Sequence, residues 1–360
     1  MDLKEQNILY LTRAPIHGGT ENVIVQLCEI FHNKVNKIVV CAGNGFKSEK
    51  LKELGIKYYC IPDIENKNIE TVIEVSKILN KVIKKENITV IHTHHRMAAF
   101  YVTFLKLYKG RIFLNTSHNT FNNKRLLTRY SYKNATLIAC GEAVKKNLEQ
   151  VFNIKECYVV HNAIKAFDFQ KKECLEIKKF RKQNRILISN VSRLSPQKGL
   201  EYFIEAADIV KNTHKDVAFL IVGDGELEKS LKEKVEKLKL DDYVFFLGYR
   251  DDIQNFMSQT DFVVLSSLWE GLPLTPIEAF SVGKTIVATD VDGTGEIVRN
   301  KNNGLLVPPY NSLELAKAIN FMIENDRTEF EKNAYDTFLN EFSFEIFSKR
   351  YINVYKEAKV

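Results

Sequence analysis

The sequence predicts an α/β protein with two domains, each built around a parallel β-sheet. Short apolar segments alternate with amphipathic segments along almost the entire chain, and this alternation stops once and then restarts. Such alternation of strands and helices is typical of a parallel sheet covered by helices on both faces. The length of 360 residues also fits two domains of ordinary size.

In the first half of the chain, strand-like segments follow one another at regular intervals. The helix with the clearest spacing covers residues 69–85, where apolar residues recur every three or four positions. The first domain is therefore expected to span residues 1–170. Its strands are expected at residues 7–11, 37–41, 57–61, 89–92, 112–115, 135–139 and 157–160.

A polar, Lys-rich segment at residues 165–184 interrupts the alternation, and we interpret it as a linker. The second domain is expected to span residues 171–342. Residues 343–360 then form a helix that is expected to cross back to the first domain, with an aromatic stripe that indicates core packing. The strands of the second domain are expected at residues 185–190, 217–222, 243–247, 262–265 and 285–288.

The composition fits a folded protein in a reducing compartment. Apolar residues make up 45% of the chain and charged residues 27%. The sequence predicts neither a membrane-spanning segment nor a signal peptide. The six cysteines form no C-x-x-C pair, and several lie in apolar runs, which is typical of buried reduced thiols. We therefore expect a cytoplasmic chain.

Positive charge is concentrated in the first half. Residues 1–170 carry 25 Lys and Arg against 15 Asp and Glu, whereas the remainder carries 27 against 30. Residues 87–141 include no acidic residue, and residues 124–130 mix cations with apolar side chains. This pattern favours an anionic membrane surface or an anionic substrate as a partner, and a solvated basic face explains it equally well. A peripheral position on the inner face of the cell membrane is thus an alternative to a free cytoplasmic chain.

Two glutamates follow the strand expected at residues 262–265, at the edge where open parallel sheets bind ligands. Glu270 lies in a Gly- and Pro-containing loop, and Glu278 lies on the first turn of the next helix. Carboxylates accept hydrogen bonds from the hydroxyls of sugars and riboses, and a helix start offers N–H groups to an anion. The spacing of three from Thr275 equally allows Glu278 to act in a capping box.

Two cations follow the first strand of the second domain, and two glycines follow the first strand of the first domain. Arg193 and Lys198 flank a turn, and two cations at a helix start form a diphosphate site without a metal. Two solvated basic side chains explain the same residues when they are taken alone. Gly18 and Gly19 allow the backbone to approach a phosphate closely, although paired glycines are also common in simple turns.

Taken together, these segments resemble the family 4 glycosyltransferases of the GT-B type. The most specific element is E-x7-E at Glu270 and Glu278, within E-G-L-P-L-T-P-I-E-A. The segments S-R-L-S-P-Q-K-G, V-G-D-G, F-L-G-Y-R-D-D-I and N-G-L-L-V-P-P follow the family order, as do H-G-G-T-E and His118 in the first domain. One departure is D-G-T-G-E, which places Asp292 where the commoner pattern, Gly-Gly-x-x-Glu, has glycine. The resemblance implies two Rossmann-like domains that face a central cleft.

The resemblance also implies a role for each matching residue. Glu270 would face the hydroxyls of the donor sugar, and Glu278 would hold the ribose of the nucleotide. Arg193 and Lys198 would neutralise the leaving diphosphate, and His118 would contact the sugar near the reacting carbon. The other donor-binding residues that it implies are Gly18, Gly19, Tyr249, Ile253, Pro273, Leu274 and Thr275.

The implied reaction is a retaining sugar transfer from a nucleotide diphosphate donor, with a UDP-sugar preferred. The acceptor would be a glycan or a polyprenyl-diphosphate-linked glycan in bacterial surface-polysaccharide synthesis. No cofactor, metal ion or nucleic-acid partner is expected. Two alternatives stay open, namely a non-catalytic nucleotide-sugar-binding protein and another GT-B enzyme such as a phosphorylase.

Three further histidines cluster after the strand expected at residues 89–92. His92, His94 and His95 form the pattern H-x-H-H, which sends side chains to different faces of a strand end. No carboxylate or cysteine lies nearby in the sequence, so a metal site is disfavoured. These histidines are expected to line the acceptor side of the cleft or to pack locally.

Overall fold

The computed structural model describes residues 2–13, 19–46, 48–121, 123–169 and 172–359. The chain divides into two compact units. The first unit comprises Met1–Asn162 and Phe347–Val360, and the second comprises Ala163–Ile346. The first boundary precedes residue 170 because Ile164 already pairs with Ser343 inside the second unit.

The first unit is an α/β structure whose described residues form a seven-stranded parallel sheet, and all seven predicted strands are present. The strands are β1 (Asn7–Leu11), β2 (Lys37–Ala42), β3 (Lys57–Cys60), β4 (Val90–Thr93), β5 (Ile112–Ser117), β6 (Thr136–Ala139) and β7 (Tyr158–Val159). The sheet order is β3-β2-β1-β4-β5-β6-β7. The helices are α1 (Gly19–Phe31), α2 (Ser48–Glu53), α3 (Ile69–Lys85), α4 (Arg96–Phe104), α5 (Arg125–Tyr132) and α6 (Glu142–Phe152).

Local sequence accounts for the best-predicted elements of the first unit. All five residues of β1 are buried, as expected for a strand that is covered on both faces. Helix α3 has the predicted bounds because Asn68 caps it, with its side chain accepting a hydrogen bond from the Thr71 amide at 2.7 Å. Its buried face repeats at Val75, Leu79 and Val82.

The second unit holds a six-stranded parallel sheet within its described residues. Its strands are β8 (Ile186–Val191), β9 (Val217–Val222), β10 (Val244–Gly248), β11 (Phe262–Leu265), β12 (Ile286–Thr289) and β13 (Gly304–Val307). The sheet order is β10-β9-β8-β11-β12-β13. The helices are α7 (Leu175–Arg181), α8 (Leu200–Val210), α9 (Glu228–Lys237), α10 (Ile253–Ser258), α11 (Leu274–Ser281), α12 (Thr294–Ile297), α13 (Ser312–Glu324) and α14 (Thr328–Thr337), followed by α15 (Phe344–Glu357).

Two features of the second unit differ from the sequence-based expectation. The linker interpretation is wrong for α7, because Ile177 and Phe180 are buried and the Phe180 ring lies 4.6 Å from that of Phe245. Strand β13 was not predicted. It has only four residues and ends at Val307, directly before Pro308, so it lacks a pattern that distinguishes it from a loop.

Helix α15 begins in the second unit and continues in the first, which includes its residues from Phe347 onwards. Tyr351 and Tyr355 are buried, and the Tyr355 ring lies 4.4 Å from that of Phe31 in α1. The aromatic stripe is therefore core packing, as the sequence indicated.

No helix in the described part of the chain is long and apolar enough to cross a bilayer.

Glu86, which caps the C-terminus of α3, is a buried carboxylate that joins this helix to the sheet. It accepts hydrogen bonds from the Tyr59 hydroxyl at 2.7 Å, from Lys37 at 2.9 Å and from Lys57 at 3.2 Å. Tyr59 first, and then the two lysines, lower the pKa of Glu86 to about 2. A carboxylate with a lowered pKa stabilises the fold above its ordinary pKa and loses that contribution as the pH falls towards 2.

We expect Glu86→Gln to destabilise the first unit at pH 7 by roughly 1–3 kcal/mol, a range that allows for the partial exposure of both lysines. The effect on the thermal midpoint should shrink steadily as the pH falls from about 5 towards 2, because the unfolded chain, with the ordinary glutamate pKa of 4.5, then binds a proton that the folded chain does not. Melting curves of both proteins across this range test the expectation. An unchanged midpoint at pH 7 would show that these contacts contribute nothing.

Candidate functional site

The loops that follow β8, β9 and β11 meet at the carboxyl edge of the second sheet, where the sequence places its candidate residues. Glycines permit this approach. A Cβ atom on Gly199 would overlap the carbonyl oxygen of Ser266, and one on Gly223 would overlap that of Ser192. Both glycines have positive φ angles, of 54° and 136°, which other residues rarely adopt. The edge is therefore built from tightly packed backbone.

Glu270 and Lys198 form an ion pair at this edge. Lys198 Nζ lies 2.5 Å from Glu270 Oε1, and the Ser267 hydroxyl donates to the same oxygen at 2.6 Å. The Gln197 amide lies 3.4 Å from Oε2. The side chains of Glu270 and Lys198 are 7% and 18% exposed. An ammonium that can bind phosphate and a carboxylate that can bind hydroxyls thus stand side by side.

Asp292 holds the backbone of Glu270, a role that the sequence did not reveal. Its Oδ2 accepts a hydrogen bond from the Glu270 amide at 2.9 Å. The φ angle of Asp292 is 38°, in the left-handed region that favours glycine. This backbone geometry explains physically why glycine suits the position in the commoner pattern, and why aspartate can replace it.

Asp290 and Asp292 stand two residues apart directly after β12, in a D-x-D pattern. Oxygen ligands of this kind suit divalent cations. Among the described residues, however, no group of three or more His, Cys, Asp or Glu side chains is arranged to hold a metal. One carboxylate oxygen of Asp292 already accepts a hydrogen bond from the Glu270 amide.

Glu278 is a partly exposed carboxylate on α11. Burial raises the pKa of Glu278 to about 7, although the positive charge of Lys198 acts in the opposite direction. The capping-box alternative is wrong, because α11 already begins at Leu274 and the Thr275 hydroxyl donates to the Val191 carbonyl at 3.1 Å. Within the described residues, no side chain donates a hydrogen bond to the Glu278 carboxylate. The group is therefore available to a ligand.

The remaining residues expected in the second domain lie on neighbouring loops. Arg193 is exposed in the loop after β8, and this loop is tied to the one after β9 by a 2.7 Å bond between the Leu194 amide and the Asp224 carbonyl. Pro273 is the buried N-cap of α11. Tyr249 is exposed after β10, and Ile253 begins α10.

The glycine pair of the first unit is only partly described. Gly18 lies outside the described residues, whereas Gly19 is the first residue of α1. This helix follows β1 along the chain. The expected approach of both glycines to a diphosphate therefore stays a prediction.

His118 follows β5 and is partly exposed. Its Nε2 lies 3.1 Å from His94 Nδ1, and the two rings stack with centroids 5.4 Å apart. Burial, with a smaller contribution from the charge of His95, lowers the pKa of His118 to about 4. His118 is therefore neutral near pH 7.

The other two histidines of the cluster use their ring nitrogens within the first unit. His92 lies 2.7 Å from the Tyr355 hydroxyl through Nδ1 and 2.8 Å from Thr116 Oγ1 through Nε2. His95 caps α4, and its Nδ1 accepts a hydrogen bond from the Met97 amide. These contacts assign both residues to local packing, one of the two roles expected.

Comparisons with known proteins agree with this architecture. The family description Glycosyltransferase Family 4 matches residues 17–166, and Glycosyl transferases group 1 matches residues 171–337. The UDP-Gal:alpha-D-GlcNAc-diphosphoundecaprenol alpha-1,3-galactosyltransferase of Escherichia coli is 28% identical over 324 residues, which cover 83% of each chain.

Solved structures share the fold along nearly the full length. A glycosyltransferase from Rickettsia africae has a TM-score of 0.85 at 22% identity and covers 98% of both chains. Anabaena Alr3699/HepE, solved in complex with UDP-glucose, has a TM-score of 0.82 at 23% identity, covering 98% of this chain and all of its own. Together, the family matches and the shared fold support a GT-B glycosyltransferase related to family 4.

Proposed function

We propose that this chain is a retaining glycosyltransferase that uses a UDP-sugar and requires no metal ion. The observation that carries the proposal is the ion pair between Lys198 and Glu270, with Glu278 on the adjacent helix. This arrangement combines a cation for a diphosphate with carboxylates for the hydroxyls of a sugar and a ribose. The Escherichia coli relative is named for a UDP-sugar donor.

The main chemical task is to stabilise the departing diphosphate. As the bond between the anomeric carbon and the phosphate oxygen breaks, negative charge grows on that oxygen. Lys198 and Arg193 would balance it, and each such contact typically supplies roughly 2–4 kcal/mol. An ammonium has three donors, so Lys198 can keep its bond to Glu270 while donating to phosphate.

Retention requires the new bond to form on the face from which the diphosphate leaves. In the proposed step, the acceptor hydroxyl attacks the anomeric carbon and its proton passes to the departing phosphate oxygen. Glu270 would hold the sugar hydroxyls, Glu278 the ribose, and His118 the sugar near the reacting carbon. In this proposal the protein contributes binding and charge balance, and the substrates carry out the proton transfer.

The acceptor is proposed to be a glycan linked to a polyprenyl diphosphate. The Escherichia coli relative, whose name specifies a sugar on diphosphoundecaprenol, suggests this class. The test incubates the protein with UDP-sugars and a short-chain lipid-diphosphate-linked sugar in excess EDTA, and follows the product by NMR. We expect a new glycosidic bond with the anomeric configuration of the donor. An inverted product, or turnover that returns only when Mg²⁺ or Mn²⁺ is added, would contradict the proposal.

A basic and apolar surface on α4 and α5 fits an acceptor of this kind. Leu126 is 83% exposed between Arg125 and Arg129, and no acidic residue occurs from residue 87 to residue 141. Phe104 is 52% exposed and stacks on Phe100. Apolar side chains flanked by cations suit the interface of an anionic bilayer.

We expect Leu126→Glu to reduce binding to anionic vesicles by about tenfold, because it removes apolar burial and adds a repelled charge. Flotation with vesicles that contain or lack phosphatidylglycerol measures this. Leu175→Glu is the matched control, since Leu175 is 72% exposed on α7 in the second unit. Equal flotation of both variants and the wild type would remove this surface from the proposal.

A further inference from the structure

The contact between His94 and His118 constrains where each ring carries its proton. His94 Nδ1 and His118 Nε2 are 3.1 Å apart, so one nitrogen donates and the other accepts. Burial lowers the pKa of both rings, to about 4 for His118 and well below its ordinary value for His94. Each ring is therefore neutral near pH 7 and carries a single N–H group.

The far nitrogen of His94 distinguishes the two possible arrangements. His94 is 3% exposed, and its Nε2 is a buried atom without a hydrogen-bond partner among the described residues. If His118 donated to His94 Nδ1, the single proton of His94 would have to reside on Nε2. A buried N–H group would then lack an acceptor. A buried N–H without a partner is rarer in proteins than an acceptor with an unused lone pair.

The opposite arrangement avoids this cost. His94 then carries its proton on Nδ1 and donates it to His118 Nε2, and only a lone pair remains at His94 Nε2. His118 Nε2 must accept, so its own proton resides on Nδ1. Within the described residues, His118 Nδ1 has no hydrogen-bond partner, and His118 is partly exposed.

The surroundings hold the His94 ring in place. His92 is fixed at both nitrogens, by Tyr355 of α15 and by Thr116 of β5. The rings of His92 and His94 are 4.2 Å apart, and the ring of Tyr10 lies 6.0 Å from that of His94. Rotation of the His94 ring would disturb a buried, hydrogen-bonded cluster.

We propose that His94 is a positioning residue that holds His118 as the Nδ1–H tautomer, so that His118 presents an N–H donor to an oxygen of the donor sugar. The ligand-facing part of this inference rests on the proposed function. It excludes His118 as a general base through Nδ1, because that nitrogen already carries a proton. It also gives His94 a role that packing alone would not require.

The direct test reads the tautomer by NMR and does not depend on activity. The full chain is labelled with ¹⁵N-histidine, and long-range ¹H–¹⁵N spectra are recorded at pH 7.5, with His118 assigned by its absence in His118→Gln. We expect His118 to show a protonated Nδ1 and an unprotonated Nε2. A protonated Nε2, the form preferred by a free imidazole in water, would overturn the proposal whether or not the protein transfers sugar.

Two substitutions at His94 separate positioning from packing. His94→Asn keeps an amide N–H near the place of Nδ1, whereas His94→Phe keeps a planar ring without a donor. We expect kcat to fall about 10-fold to 100-fold in His94→Phe and less than about threefold in His94→Asn. If His118 keeps its tautomer and both variants turn over at the wild-type rate, the positioning role fails while the transferase function stands. If His94→Phe melts early, the spectrum of the wild type still decides the tautomer.

Discussion

Glu270→Gln is expected to lose nearly all sugar transfer, with kcat lower by about 10²–10³-fold, while UDP binding stays within a few-fold of the wild type. Glutamine has nearly the shape of glutamate, so the hydrogen bonds of the loop can largely persist. The negative charge beside the donor sugar is lost, and Lys198 loses the charge that pairs with its ammonium. Activity assays and UDP titrations of the same preparations measure both effects.

A drop in stability must be separated from this loss of activity. Removing one partner of a buried ion pair commonly costs about 3–5 kcal/mol, so the thermal midpoint of Glu270→Gln should also fall. Glu329→Gln on α14 provides the control, because Glu329 is exposed. Turnover within threefold of the wild type in folded Glu270→Gln would exclude Glu270 from the reaction.

Glu278→Gln is expected to weaken UDP binding by at least about tenfold and to stabilise the protein at pH 8. The raised pKa of about 7 means that the folded chain holds a proton on Glu278 that the unfolded chain releases above pH 4.5. Stability contributed by the protonated form is therefore lost as the pH rises from about 4.5 to 7. Above pH 7 the partly desolvated negative charge of Glu278 costs about 1–3 kcal/mol, and glutamine removes that cost.

Melting curves at pH 5 and pH 8, with and without UDP, test this pair of effects. The variant should melt higher than the wild type at pH 8 and close to it at pH 5, and UDP should raise its midpoint less. A residue that is retained at a cost in stability is typical of a functional site. If the variant is less stable at pH 8 and binds UDP normally, Glu278 has a structural role instead.

Much of the fold could be predicted from the sequence because its signals are local. Strands β1, β9 and β11 were predicted with their observed bounds, since each is a short apolar run between polar segments. The recurrence of apolar residues every three or four positions indicates α3 equally clearly. Strand β13 escaped prediction because a four-residue strand before two prolines has no periodicity of its own.

The candidate site could be predicted only as a set of residues and not as a set of contacts. The E-x7-E spacing and the cations of the loop after β8 identified Glu270, Glu278 and Lys198. The contact between Thr275 and Val191 joins residues 84 positions apart, so the local capping pattern misled the interpretation of Glu278. The bond from the Glu270 amide to Asp292 likewise depends on two loops meeting.

The contacts of the histidine cluster were even less predictable from the sequence. The sequence reveals one histidine in β4 and two directly after it, but not that His94 reaches His118 or that His92 meets Tyr355 at a separation of 263 residues. Such pairs form only when neighbouring strands and the last helix pack together. Their chemistry is therefore visible in the structure and not in the spacing of residues.

The proposed function depends above all on Lys198 binding the diphosphate of the donor. Calorimetric titration of UDP into the wild type and Lys198→Met, both in excess EDTA, tests this most directly, with Lys229→Met as the control because its side chain is 91% exposed. If the proposed function is right, the wild type and Lys229→Met bind UDP without metal, and Lys198→Met binds at least about tenfold more weakly. Equal affinity in all three proteins, or binding that appears only when a divalent cation is added, would contradict it.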